Sequence, residues 1–319
     1  MAATHADLFG DAQLLAEIRR EAFGDDIGQN SWLTLDEYDR FIAWLNLRPG
    51  QQVLEVACGS GGPTLYLGDQ TDCNVVGIDA DEHAVAMACR LADGRRVGSA
   101  NFRAVDANAP LPFDNGSFDA LVCIDSLNRF PQRLSMLWEW HRVVKPGARV
   151  MFTDPAVITG PVSGEQLAQR SGVGSFVFVP QGTNEQLLEL AGFRPLSQQD
   201  VTGNAALVSG RWHRARERHR SELLDVEGRE RFEGRQAFLA VVHRLASERR
   251  LSRVAYLAEK PAASYTGVSC GNAASTSDRL AYAGRNSAGQ RTGRPLDSSM
   301  HAYSTSARQS VVPSTGRIN

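Results

Sequence analysis

Val53-Leu54-Glu55-Val56-Ala57-Cys58-Gly59-Ser60-Gly61-Gly62-Pro63 decides the fold: an apolar run tipped by an acid meets three glycines within four residues, and a helix pattern follows. Glycines have no Cβ, so such a turn can take φ > 0 and bring its backbone close to a ligand. Pro63 suits a first helical turn, where its missing N–H costs nothing. Strand, glycine turn and helix in that order make a seat for a nucleotide-like ligand. Spacing then divides the ligand classes. The dinucleotide fingerprint G-x-G-x-x-G needs a third glycine to open the helix, and counting from Gly59 that place holds Thr64. An NAD-dependent dehydrogenase is therefore the weaker alternative.

Working outward, the pattern alternates. A helix with Leu8, Ala12, Leu15 and Ile18 on one face is expected over 8–23, then a glycine-punctuated loop to Trp32. Thr34-Leu35-Asp36-Glu37 carries a capping-box signature, and Leu35, Tyr38, Ile42 and Leu45 extend it as an amphipathic helix ending at Pro49-Gly50. Strands are expected to Val56, over Val75–Ile78, Phe102–Val105, Ala120–Ile124 and Arg149–Thr153, with helices from Pro63, from Glu82 and over Arg133–Val144. A helix near Asn184–Ala191, a sixth strand over Phe193–Val201, helical sequence over 205–249 and a last strand at Val254–Ala258 complete the series. Strands interleaved with helices imply a doubly wound α/β fold, its mostly parallel seven-stranded sheet covered on both faces. Ligands of such sheets bind beyond the carboxyl ends of the strands. Those ends carry Glu55, Asp79, Asp106, Asp125 and Asp154. Asp79 falls 20 residues after Gly59, where an acid accepts hydrogen bonds from both ribose hydroxyls of a nucleotide.

Glu55-Val56-Ala57-Cys58-Gly59-Ser60-Gly61-Gly62 resembles motif I of the class I S-adenosylmethionine-dependent methyltransferases. Leu111-Pro112-Phe113 followed by Phe118-Asp119 resembles the run before motif IV in the small-molecule, type 11-like members, and His141–Val150 resembles their turn into the fifth strand. The resemblance covers about residues 30 to 260. It implies the Rossmann-like methyltransferase fold, S-adenosyl-L-methionine as cofactor, and methyl transfer to an oxygen or nitrogen of a small-molecule acceptor. It also implies cofactor contacts from Glu55, Ala57, Cys58, Gly59 and Gly61 in the turn, from Asp79 and Ala80 at the ribose, and from Asp106 and Ala107 at the adenine edge. Asp125 and Ser126 would lie beside the transferred methyl, with Asn128 and Arg129 facing the acceptor. Arg129 stands where many members have His, which weakens a His general base there. Gln29 and Ser31 would reach the cofactor's carboxylate from an N-terminal lid. Asp125, Asp154 and His213 are the candidates for acid-base help, and Phe178, Trp212 and His213 for the acceptor pocket. No metal is expected, because no Cys/His cluster has ligand spacing.

The division that follows is an N-terminal helix and lid over 1–33, a methyltransferase domain over 34–260 and a disordered tail over 261–319. Helical insertions after strands 5 and 6, at about 155–182 and 205–249, would serve the acceptor; an insertion in the second place resembles sugar O-methyltransferases and sarcosine/dimethylglycine methyltransferases. The tail is rich in Ser, Gly, Ala and Thr without periodicity and offers no apolar face to repay its ordering.

Composition sets the remaining bounds. With 319 residues, 42% hydrophobic and 22% charged, the chain can bury one large core. No apolar run reaches the roughly 18 residues needed to cross a bilayer, and His5, Asp7 and Asp11 stand where a signal peptide would be basic and then apolar, so a cytoplasmic protein without membrane partners is expected. Cys58, Cys73, Cys89, Cys123 and Cys270 form no Cys-x-x-Cys pair, which fits reduced thiols, and Cys58 reads as a small buried residue rather than a nucleophile. The net charge is −2, which gives no global attraction to nucleic acid. Arg211, Arg214, Arg216, Arg218 and Arg220 raise an RNA methyltransferase as an alternative, but Glu217 and Glu222 interrupt the charge and no aromatic stacking platform accompanies it. A regulator that binds the cofactor without turning it over is the third alternative. The oligomeric state is not legible.

Overall fold

The computed structural model describes residues 12–95, 100–172 and 174–262. Its helices are α1 (Ala12–Phe23), α2 (Leu35–Leu45), α3 (Gly62–Thr71), α4 (Glu82–Arg95), α5 (Arg133–Val143), α6 (Gly164–Arg170), α7 (Thr183–Leu190), α8 (Thr202–Arg218), α9 (Arg220–Glu227) and α10 (Arg229–Ser247). The strands are β1 (Gln52–Val56), β2 (Asn74–Asp79), β3 (Ala100–Ala104), β4 (Phe118–Cys123), β5 (Val144–Ile158), β6 (Val179–Pro180), β7 (Arg194–Asp200) and β8 (Leu251–Glu259). They make one sheet in the order β3-β2-β1-β4-β5-β8-β7, with the two-residue β6 pairing β5 off that path. Strands β1 to β5 run parallel, and β8 runs antiparallel between β5 and β7. The order turns back between β1 and β4, so the topological switch point lies where Glu55 and the glycine turn end the first strand.

Alternation along each strand sorts the core into two layers. Leu54, Val56, Ile78, Leu121, Cys123, Val150 and Phe152 pack one face of the sheet against Met136, Leu137 and Trp140 of α5. Val53, Val75, Ala120, Val122 and Met151 pack the other against Tyr38, Phe41 and Leu45 of α2 and Leu67 of α3. A third layer joins α1, α8 and α10, where Phe23, Trp32, Val208, Phe238 and Leu239 cluster beside Leu14, Ile18, Ala215, Leu223 and Phe232.

The expected elements are present with moved boundaries. Helix α1 begins at Ala12, and Leu8 lies outside the described residues. Strand β5 runs five residues past the expected end at Thr153, because a bulge against β8 between Asp154 and Val157 carries it through Pro155. The stretch expected as an acceptor insertion is tied to the sheet at both ends, since Val157 and Ile158 pair with Val179 and Pro180. The tail expected to be disordered lies, beyond residue 262, outside the described residues. Among the described residues no helix is long and apolar enough to cross a membrane.

Candidate active site

The glycine turn between β1 and α3 is held by its neighbours. Cys58 N donates to Ile78 O at 3.0 Å, Gly61 N to Cys58 O at 3.1 Å and Gly59 N to Asp79 Oδ2 at 2.9 Å. Each glycine has its own reason. A Cβ on Gly61 would lie 2.7 Å from Ala88 and Phe102, and one on Gly62 would lie 1.9 Å from Ile27 O, so α4, β3 and the N-terminal loop all close onto the turn there. Gly59 differs: its φ is +56°, and a Cβ would meet nothing within 4 Å. That is the open side of the turn. Ala57 also sits at positive φ, 59°.

Two carboxylates flank the opening. Asp79 accepts Gly59 N on one oxygen and Asp81 N on the other, each at 2.9 Å, and every carboxylate oxygen keeps a second lone pair. Glu55 is buried, 2% exposed, and its Oε2 has no partner. Burial, with the Asp79 charge beside it, pushes Glu55 up to about 7. At the end of β3, Asp106 Oδ1 closes a turn by accepting Asn108 N and Nδ2; Ala107 behind it is buried, and Ala80 is exposed beyond β2. The Cys58 thiol is buried and pushed up by that burial, which suits a small packing residue and not a thiolate.

Beyond β4 the geometry corrects the expected catalytic acids. Asp125 holds φ 52°, a costly backbone for a residue with a Cβ, and its side chain explains why. Asp125 Oδ1 accepts Thr153 Oγ1 and Arg253 Nε at 2.7 Å, and Oδ2 accepts the backbone N–H of Trp32 at 2.8 Å. Arg253 also donates from Nη1 to Glu37 at 2.6 Å, and all three side chains are at most 4% exposed. Burial alone would lower Arg253, but the carboxylates of Asp125 and Glu37 hold it above its usual range. Asp125 is thus a tether joining the N-terminal loop, β4 and β8 rather than a free base. Asp154 is likewise committed, accepting Arg133 Nη1 at 2.5 Å, Asn184 Nδ2 at 2.8 Å and Ala156 N at 2.9 Å. Arg133 then donates to Val177 O at 2.7 Å, which pins the connection after α6 to the sheet.

Other expectations are redistributed. Gln29 is buried and turned back into its own loop, accepting Ile27 N and donating to Asp25 O and Leu33 O, so its amide is not offered to a cofactor. Ser31 Oγ accepts Leu33 N at 3.3 Å and Ser126 Oγ donates to Ile124 O at 3.1 Å. His213 lies with Arg214, Glu217 and Arg218 in a shallow outer depression, away from the strand ends. Phe178 packs against Val241, Leu245 and Leu251. Trp212 meets Phe23 and Trp32 edge-on at 5.4 and 6.5 Å, a wall shared by α1, the loop after it and α8. The arginines of α8 and α9 are largely paired: Arg216 with Glu227, Arg218 with Glu21 and Arg220 with Glu217.

Asn128 and Arg129, expected to face the acceptor, are joined by Phe176, Arg170 and Phe238. The Arg129 guanidinium stands 5.1 Å from the Phe176 ring centroid, and Arg170 stands 4.8 Å from Phe176 and 5.1 Å from Phe238, which stacks on Trp32. Asn128 is fully buried beside Arg129, with neither amide atom partnered. Sequence gave no signal for Arg170 or Phe238; one sits in a polar helix and the other in an ordinary amphipathic pattern.

Comparison with known proteins adds to this geometry. A family model described as a methyltransferase domain matches residues 54–152. The chain is 28% identical over 268 residues to the 27-O-demethylrifamycin SV methyltransferase of Amycolatopsis mediterranei (strain S699), covering 78% of this chain and 91% of that protein. It is 30% identical over 193 residues to phosphoethanolamine N-methyltransferase of Triticum aestivum, covering 60% of this chain but only 38% of that longer protein. Among solved structures, Haemonchus contortus phosphoethanolamine N-methyltransferase 2 in complex with S-adenosyl-L-methionine superposes with a TM-score of 0.68 at 16% identity, over 79% of this chain and 57% of that one. At that identity the likeness speaks for the fold.

Proposed function

The chain is a class I S-adenosylmethionine-dependent methyltransferase of the small-molecule type, and from that premise we propose that its methyl acceptor meets the cofactor at the sheet edge bounded by Gly59, Asp79 and Asp125. The single observation that carries this reading is the open side of the glycine turn, where Gly59 faces free space while its N–H bonds the strand-end carboxylate of Asp79. The residues present fit the cofactor. Asp79 has lone pairs for two ribose hydroxyls, Asp106 and Ala107 would read the adenine edge, and the orphaned Glu55 Oε2 is an acceptor suited to an ammonium. When bound, S-adenosylmethionine supplies a methyl group activated on a sulfonium.

What remains for the chain is positioning and exclusion of water. Asp125 and Asp154 are held by Arg253 and Arg133, so neither is a free base. Orientation can be worth about 7 to 11 kcal/mol in well-aligned systems, and the proton of a neutral acceptor can leave to solvent after transfer. The relatives' names give two acceptor chemistries to try, the hydroxyl of a demethylated rifamycin and the amine of phosphoethanolamine. Calorimetric titration with S-adenosylhomocysteine tests the cofactor half. Charge-assisted hydrogen bonds contribute about 1.5 to 3 kcal/mol each, so Asp79→Ala should weaken binding at least about tenfold. Unchanged affinity would remove Asp79 from the site. Mass spectrometry of the two acceptors incubated with methyl-labelled cofactor tests the transfer itself.

A further inference from the structure

Arg170 presents an unusual balance of burial and partners. It closes α6, is 2% exposed, and neither Nε nor Nη1 has a hydrogen-bond acceptor. Among the described residues its contacts are faces: the rings of Phe176 and Phe238. Buried charges are as a rule paired, and buried donors left without acceptors are costly. Burial pushes Arg170 down to about 10, against the opposing pull of Asp125 and Asp154, so the side chain keeps its proton at neutral pH. Those two carboxylates supply counter-charge at a distance, but their oxygens bond Arg253, Arg133, Thr153 and Asn184. Arg129 adds a like charge nearby, and Arg170 Nε and Nη1 are left without an acceptor.

The surroundings repeat the deficit. Arg129 lies over the same Phe176 ring, and neither amide atom of buried Asn128 has a partner. Asn128 O accepts Val177 N at 2.7 Å, which holds this turn against the residue following Phe176. The enclosure opens toward chemistry, since Trp32 stacks on Phe238 at 6.1 Å and gives its backbone N–H to Asp125. A planar guanidinium with free donors on an aromatic wall matches a carboxylate or phosphate in two-point contact.

We infer that Arg170, with Arg129 and Asn128, is the seat for an anionic group on the methyl acceptor, so that the substrates of this enzyme are small organic carboxylates or phosphates with an apolar body that fits the Phe176, Phe238 and Trp32 walls. This rests on the methyl-transfer reading above, because it concerns the acceptor half of that site.

The test uses phenylacetate and phenyl phosphate as anionic probes and benzyl alcohol as their neutral counterpart. Each is titrated by calorimetry into the full chain with and without S-adenosylhomocysteine. At least one anion should bind tenfold or more tighter than benzyl alcohol. Arg170→Met should abolish that preference, leave S-adenosylhomocysteine affinity within twofold and leave the melting temperature nearly unchanged, because Met keeps apolar contact with both rings and the Nε and Nη1 donors that it removes have no acceptor. Arg170→Lys should keep a reduced preference. Equal binding of anion and alcohol by the wild type, or a preference that survives Arg170→Met, overturns the inference. So does an Arg170→Met chain that melts earlier or fails to fold, since the guanidinium would then be structural. A chain that binds anions but not S-adenosylhomocysteine would instead sink the methyl-transfer reading.

Discussion

Glu55 is the residue at which the cost of the site can be measured. Its fully buried carboxyl has a folded pKa of about 7 against an ordinary 4.5, so between those values the folded chain holds a proton that the unfolded chain releases. Stability from this group is therefore fully present below pH 4.5 and is lost as pH rises through 7. At about 1.4 kcal/mol per unit the penalty at pH 8 is on the order of 3 kcal/mol. Glu55→Gln should raise the melting temperature at pH 8 by several degrees, with the gain vanishing near pH 4.5. If the carboxylate receives the cofactor's ammonium, the same variant should bind S-adenosylhomocysteine about tenfold more weakly. Opposite movement of stability and affinity marks a group kept for binding; a parallel fall in both would make Glu55 a packing residue.

At the scale of elements, the turn between β1 and α3 shows what was legible and what was not. Apolar runs ending in acids gave β1, β2 and β4 almost to the residue, because side-chain alternation and strand ends are local properties. The long β5 was cut short, because Asp154-Pro155 resembles a stop and only its bulge against β8 carries the strand through. The partners of Asp125 and Gln29 are hidden for a related reason. A strand-end acid and a loop amide look available in one dimension, whereas their partners are Arg253, 128 positions away, and the carbonyls of a loop folded on itself. Close backbone approach is equally hidden. Gly62 stands in the same run as Gly59 and Gly61, yet a Cβ there would strike Ile27 O at 1.9 Å, while one on Gly59 would meet nothing within 4 Å. Gly62→Ala should therefore lift the N-terminal loop and lower the melting temperature. Gly59→Ala bears only the backbone cost of a left-handed residue, roughly 1 to 2 kcal/mol, and should lose cofactor affinity more than stability. Paired titration and melting curves check both, and identical profiles for the two variants would refute the assignment of separate roles.

Across the whole molecule, the N-terminal layer joins the two halves of the site. Ile27 and Gly28 cover the glycine turn, Trp32 N reaches Asp125, and Phe23 and Trp32 pack on Trp212 of α8 and Phe238 of α10. The buried Glu37–Arg253–Asp125 chain fastens that layer to β4 and β8. Breaking one partner of a buried ion pair costs about 3 to 5 kcal/mol, since the remaining charge is left uncompensated. Asp125→Asn should thus destabilise the chain, but unevenly. Arg253 keeps Glu37, so the amides of residues 25–33 should exchange hydrogen faster while those of β1 and β2, bonded within the sheet interior, keep their protection. Turnover should fall more than cofactor affinity, because Gly59, Asp79 and Asp106 are untouched whereas the loop that bears Trp32 loses its anchor. Hydrogen exchange resolved by peptide, with and without S-adenosylhomocysteine, reads this directly. Cofactor should slow exchange at 25–33 in the wild type through the contact at Gly62, and less so in the variant. An equal rise in exchange over the whole sheet would mean that Asp125 supports the core at large, and the N-terminal layer would lose its place as the link between cofactor and acceptor.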